Sequence, residues 1–162
     1  MKKLLRTIRF DGSDDKVFAR AAQPDEWAVS GSFAFADLDA AALTGKVRQA
    51  FANAFFGLGS YGWSTFATVS EITDAEMQAL TAHLADHFVA SYGAPTRVAA
   101  MPAAEAELAF VMDLCRDTPI NTVFTVRRVL DADGHIKEEF RTIRPPSGEP
   151  LHTRIWTVDD EA

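Results

Sequence analysis

Thr122-Val123-Phe124-Thr125-Val126-Arg127-Arg128-Val129-Leu130, then Asp131-Ala132-Asp133-Gly134, then Ile136-Lys137-Glu138-Glu139-Phe140-Arg141-Thr142-Ile143 is the clearest hairpin in the chain. Both arms are rich in β-branched and aromatic residues, and Asp-Gly favours the positive-φ turn that antiparallel strands need. Arg127 and Arg128 can face Glu138 and Glu139 across the ladder, where opposite charges help to set the pairing. A two-residue period also marks Lys3 to Phe10, Trp27 to Phe35 and Tyr61 to Ile72, and Val17-Phe18-Ala19 reads as a short return strand. Gly31 marks a bulge or a close approach.

Between the strands the period changes. Leu43, Val47, Ala50, Phe51, Ala54 and Leu58 recur at three and four, which predicts a helix from about Asp39 to Phe56 that Gly57 stops. Thr73-Asp74-Ala75-Glu76 is a capping-box signature opening a second helix, which carries Met77, Leu80, Leu84 and Phe88 and ends near Gly93. A third is expected from about Pro102 to Arg116, through Leu108, Val111, Met112 and Cys115. Strands at both ends with helices between them predict an α+β fold, a two-layer antiparallel sheet covered by about three helices, more naturally on one face.

The 162 residues fit one domain, expected over 1–146, with a C-terminal tail over 147–162 after the run Pro145-Pro146-Ser147-Gly148-Glu149-Pro150. Hydrophobic residues make up 48% of the chain, enough for a core without disulfide or structural metal, and the single cysteine permits no internal disulfide. Arg6 and Arg9 interrupt the apolar start after Leu4 and Leu5, so no export signal is read and a cytoplasmic location is expected. No apolar run reaches membrane-spanning length. With 16 basic against 23 acidic residues the net charge is -7, which argues against a nucleic-acid partner.

Leu4-Leu5-Arg6-Thr7-Ile8-Arg9, Glu26-Trp27-Ala28-Val29-Ser30-Gly31, Gly45-Lys46-Val47-Arg48-Gln49-Ala50-Phe51, Gly62-Trp63-Ser64-Thr65 and Phe140-Arg141-Thr142-Ile143-Arg144-Pro145 resemble a family of short bacterial proteins of unknown function. The resemblance spans roughly residues 2–145 and leaves the tail from Leu151 outside it. It implies no assigned activity and no catalytic residues.

The chemical signals are few. Gly57-Leu58-Gly59-Ser60-Tyr61-Gly62 matches a Gly-x-Gly-x-x-Gly dinucleotide string, but it leaves a helix and enters a strand, the reverse of a nucleotide site, and reads as a helix stop with a tight connection. His83, Asp86 and His87 are the metal candidates, because one helical turn separates the imidazoles and the carboxylate borders both. The competing reading is a polar helix flank with His87 at its apolar border. Cys115 lies on an apolar stripe, as a buried small hydrophobe does. Phe51, Phe55, Phe56, Tyr61, Trp63 and Phe66 form a dense aromatic run, expected to be mostly core and to bury Trp63. Phe55 and Phe56 cannot share one narrow helix face, which places one of them in a pocket wall or an interface.

No catalytic residue and no cofactor is nominated. The expected function is a non-catalytic cytosolic accessory or protein-interaction module, with a protein partner or a second copy of the chain. The alternative is a small-ligand-binding protein or enzyme with a pocket between sheet and helices, metal-assisted through His83, Asp86 and His87. In the tail, Leu151, Ile155, Trp156 and Val158 put apolar groups on both faces of an extended segment. Such a segment suits a sheet edge, its own or that of a homodimer partner.

Overall fold

The computed structural model describes residues 1–144 and 157–159. In chain order it forms β1 (Lys2–Ile8), α1 (Ser13–Val17), β2 (Trp27–Val29), 3-10 turns at Ser32–Phe35 and Ala40–Ala42, α2 (Gly45–Asn53), β3 (Phe55–Gly57), β4 (Trp63–Ser64), β5 (Phe66–Ile72), α3 (Asp74–Ser91), α4 (Arg97–Cys115), β6 (Val123–Leu130), β7 (Ile136–Arg144) and β8 (Thr157–Asp159). Among the described residues the strands make one sheet, ordered β4-β3-β2-β1-β5-β6-β7-β8 with every neighbour antiparallel, so the fold is α+β.

Residues opposite one another in a ladder share a face, so the register assigns the sides. Leu5 stands opposite Val69 and Ala28, Ala67 opposite Phe124, and Val126 opposite Phe140. This face is the core: Leu5, Ala28, Ala67, Val69, Phe124 and Val126 are all buried. The sheet curls around it. Phe55 on β3 and Phe140 on β7 have ring centroids 6.2 Å apart, although four strands stand between them. A flat sheet would hold them about 24 Å apart, at roughly 4.8 Å per strand step. Helices α3 and α4 pack on each other, α4 also packs on β1, and α2 packs on β6.

The hairpin forms as its sequence requires. Arg127 pairs with Glu139, Arg128 with Glu138, and Gly134 adopts φ +82° in the turn. The Thr73 hydroxyl accepts the Glu76 N–H at 3.1 Å while the Glu76 carboxylate accepts the Thr73 N–H at 2.9 Å, closing the capping box of α3.

Elsewhere tertiary contacts override the local pattern. Ser13–Val17 is helical rather than leading into a return strand, because the buried Asp14 carboxylate turns back to accept the Thr65 N–H and hydroxyl. Thr65 thereby leaves the ladder and splits the expected Tyr61 to Ile72 strand into β4 and β5. The strand from Trp27 ends at Val29 because Gly31 takes φ +85°. A Cβ there would meet Phe56 Cβ at 2.6 Å and the Trp63 ring at 2.8 Å, so the position needs glycine for both conformation and space.

The helix expected over Asp39 to Phe56 shortens to Gly45–Asn53. Ala54 turns extended, and Phe55-Phe56-Gly57 pairs with β2 and β4, so Gly57 is a strand residue and not a helix stop. Adjacent strand residues point to opposite faces, which lets both phenylalanines be buried. Helix α4 starts at Arg97 behind a Thr96 cap, with Pro102 inside it rather than at its start. In the tail, Thr157–Asp159 pairs with β7 of its own chain, Val158 opposite Ile143. Leu151, Ile155 and Trp156 lie outside the described residues.

Candidate functional site

The loop from β3 to β4 carries the Gly-x-Gly-x-x-Gly string and brings Tyr61 onto α3. Its backbone amides are already occupied: the Glu26 carboxylate accepts N–H from Gly59 at 2.8 Å and Ser60 at 2.7 Å, and the Ser60 hydroxyl at 2.6 Å. The string does cradle an anion, but the anion is the chain's own side chain. It joins two strands and not a helix to a strand.

Tyr61 takes φ +60°, a left-handed conformation costing a bulky residue on the order of 1–2 kcal/mol. In that conformation its ring lies flat on His87, with centroids 3.7 Å apart and planes 4° from parallel. His83 sits one turn earlier. Its Nε2 lies 2.8 Å from the Leu58 carbonyl and 2.9 Å from the Tyr61 hydroxyl. A carbonyl only accepts, so Nε2 carries a proton. Burial, and then the neighbouring His83, push the His87 pKa below its ordinary value, leaving a neutral ring near pH 7. Burial, and then the charge of Asp86, raise that of Tyr61.

Around this stack opens a cleft of about 390 Å³, whose aromatic walls are Phe35, Phe56, Tyr61, Trp63, His87 and Tyr92. The size falls in the range of small-molecule sites. Phe56 and Phe35 lie 5.0 Å and 5.1 Å from Trp63, and Phe33 stands edge-on to Phe56 and Tyr92 at 5.4 Å and 5.3 Å. Trp63 is therefore half-buried rather than fully interior. Arg20 and Ser91 complete the rim, and the Arg20 guanidinium rests 3.4 Å from the Ser60 carbonyl.

The metal candidates are brought near one another, yet each is engaged within the chain. Asp86 pairs with Arg97 at 2.9 Å, His83 holds Leu58 and Tyr61, and His87 stacks on Tyr61. Among the described residues the cluster whose ligand atoms lie within 4.8 Å of one another is Asp131, Asp133 and His135 in the hairpin turn. There Asp131 accepts the N–H groups of Asp133 and His135, which accounts for the arrangement as turn structure. Cys115 is buried, and burial pushes its thiol up to about 12, so it is not a thiolate near neutral pH. None of the described helices is long and apolar enough to cross a membrane.

One ionic centre reaches beyond the cross-strand pairing expected of the hairpin. Arg128 is 2% exposed and on the core face; its guanidinium donates to the Ala54 carbonyl at 2.8 Å, to Phe51 at 2.9 Å, and to the Ser30 carbonyl. Glu138 accepts from Arg128 at 2.8 Å and from the Ser30 hydroxyl. A cation on the last carbonyls of α2 complements the negative end of that helix. The sequence pairs the doublet Arg127-Arg128 with Glu138 and Glu139 across the hairpin, and strand alternation places Arg128 inward.

A family model described as "Family of unknown function (DUF6505)" matches residues 1–156. The chain belongs to this family. The match reaches into the tail, beyond the limit near residue 145 expected from the resemblance. No curated protein and no solved structure matches the chain.

Proposed function

We propose that the protein is a non-catalytic binding module whose small ligand enters the aromatic cleft beside α3. The observation that carries this reading is the face-to-face Tyr61–His87 stack, held by a left-handed Tyr61 and lining an open cleft of ligand size. Strain of this kind persists where surrounding contacts over-determine it, as they do at binding sites. The lone buried cysteine supports a reducing, cytoplasmic setting.

A protein-accessory role is the second reading. It is supported by Val98 and Phe110, apolar residues of α4 that are 83% and 46% exposed, and by β8 standing last in the strand order of the described residues. A thermal-shift screen separates the two. Ligands of the cleft raise Tm by mass action in the wild type and lose that effect in Ser91→Trp, which fills the mouth from an exposed helix position. Shifts that survive Ser91→Trp would contradict the cleft reading.

A further inference from the structure

The walls of the cleft specify what they accept. Tyr61, Trp63, His87 and Tyr92 are the rings of the cleft that reach solvent, with Phe35 and Phe56 buried behind them, and they offer apolar contact that a planar ring fills better than an aliphatic group. The neutral His87 adds no charge. No carboxylate lines the cleft, and among the described residues Arg20 has no carboxylate partner; its contact is the long one to Ser60. Trp63, Ser91 and Tyr92, which also line the cleft, carry side-chain N–H or O–H groups that have no hydrogen-bond partner among the described residues. Arg20 is thus the charged side chain among the described residues lining the cleft, in a protein of net charge -7. A guanidinium both stacks on rings and forks onto carboxylate or phosphate oxygens, so it suits an anion attached to an aromatic system.

We infer that the cleft takes a flat aromatic or heteroaromatic ring bearing an anionic group, with the ring against Tyr61, Trp63 and His87 and the anion at Arg20. This rests on the binding reading above. Carboxylate and phosphate present the same oxygen chemistry to Arg20, and the ring is what separates such ligands from free phosphate. Arg20 is exposed, so its replacement leaves the core intact.

The test is calorimetric titration of the full chain with 2-naphthoate, its neutral isostere 2-naphthamide, and inorganic phosphate, in wild type, Arg20→Gln and Arg20→Lys. The expected result is saturable naphthoate binding that falls about tenfold or more in Arg20→Gln, the loss of one charge-assisted hydrogen-bonded pair. Arg20→Lys restores part of it, added salt weakens it, and phosphate alone does not bind. Equal binding of naphthoate and naphthamide, unchanged in Arg20→Gln, would overturn the anion assignment and leave the binding reading standing. Failure of both aromatic probes to bind would contradict the binding reading itself.

Discussion

Glu107, on α4, faces Glu138 and Arg128, and burial sets its behaviour first. Desolvation and then the Glu138 charge raise its pKa, and Arg128 offsets only part of this. A raised carboxyl favours the fold while it is neutral. That contribution is present below the ordinary glutamate range near about pH 4.3 and is lost as pH rises through the higher folded-state value. At pH 7 Glu107 therefore works against the fold. Glu107→Gln is expected to raise Tm at pH 7, with the gain shrinking toward zero by about pH 4. Thermal melts across this range check it, and a lower Tm at pH 7 would show that Arg128 needs both carboxylates.

At the scale of elements, Arg128 joins three pieces that are distant in sequence: the end of α2, the residue after β2, and the hairpin strand β7. Arg128→Met removes the charge, leaves Glu138 without its cation and frees the last carbonyls of α2. A loss of about 3–5 kcal/mol is expected, the usual cost of breaking a buried pair from one side. Hydrogen exchange should rise first over Gly45–Asn53; protection unchanged there would separate α2 from Arg128. The same contrast shows what the sequence discloses. The capping box and the Asp-Gly hairpin are legible because both partners of each signal lie within a few residues. The break between α2 and β3 is not, since Phe55-Phe56 becomes strand only through partners at Val29 and Trp63. His83 and His87 are legible as neighbours on one helix face. Their engagement by Tyr61 depends on a loop whose left-handed residue carries no local sequence mark.

For the whole molecule, the decisive property is the curl of the sheet. It brings β3 against β7 and stacks the β3–β4 loop on the C-terminal half of α3, so the cleft is assembled from Arg20, the Ser32–Phe35 turn, the strands around Phe56 and Trp63, and the helix end at His87 to Tyr92. No single segment contains the site. A competing groove of about 440 Å³, lined in part by Gln49, Thr125 and Arg127, lies beside β6. The measurement that tests the account most directly is the map of intermolecular nuclear Overhauser contacts from 2-naphthoate to the full chain. Contacts to the rings of Tyr61, Trp63 and His87 are expected; contacts confined to Gln49 and Thr125, or none to those rings, would contradict a binding site in the aromatic cleft.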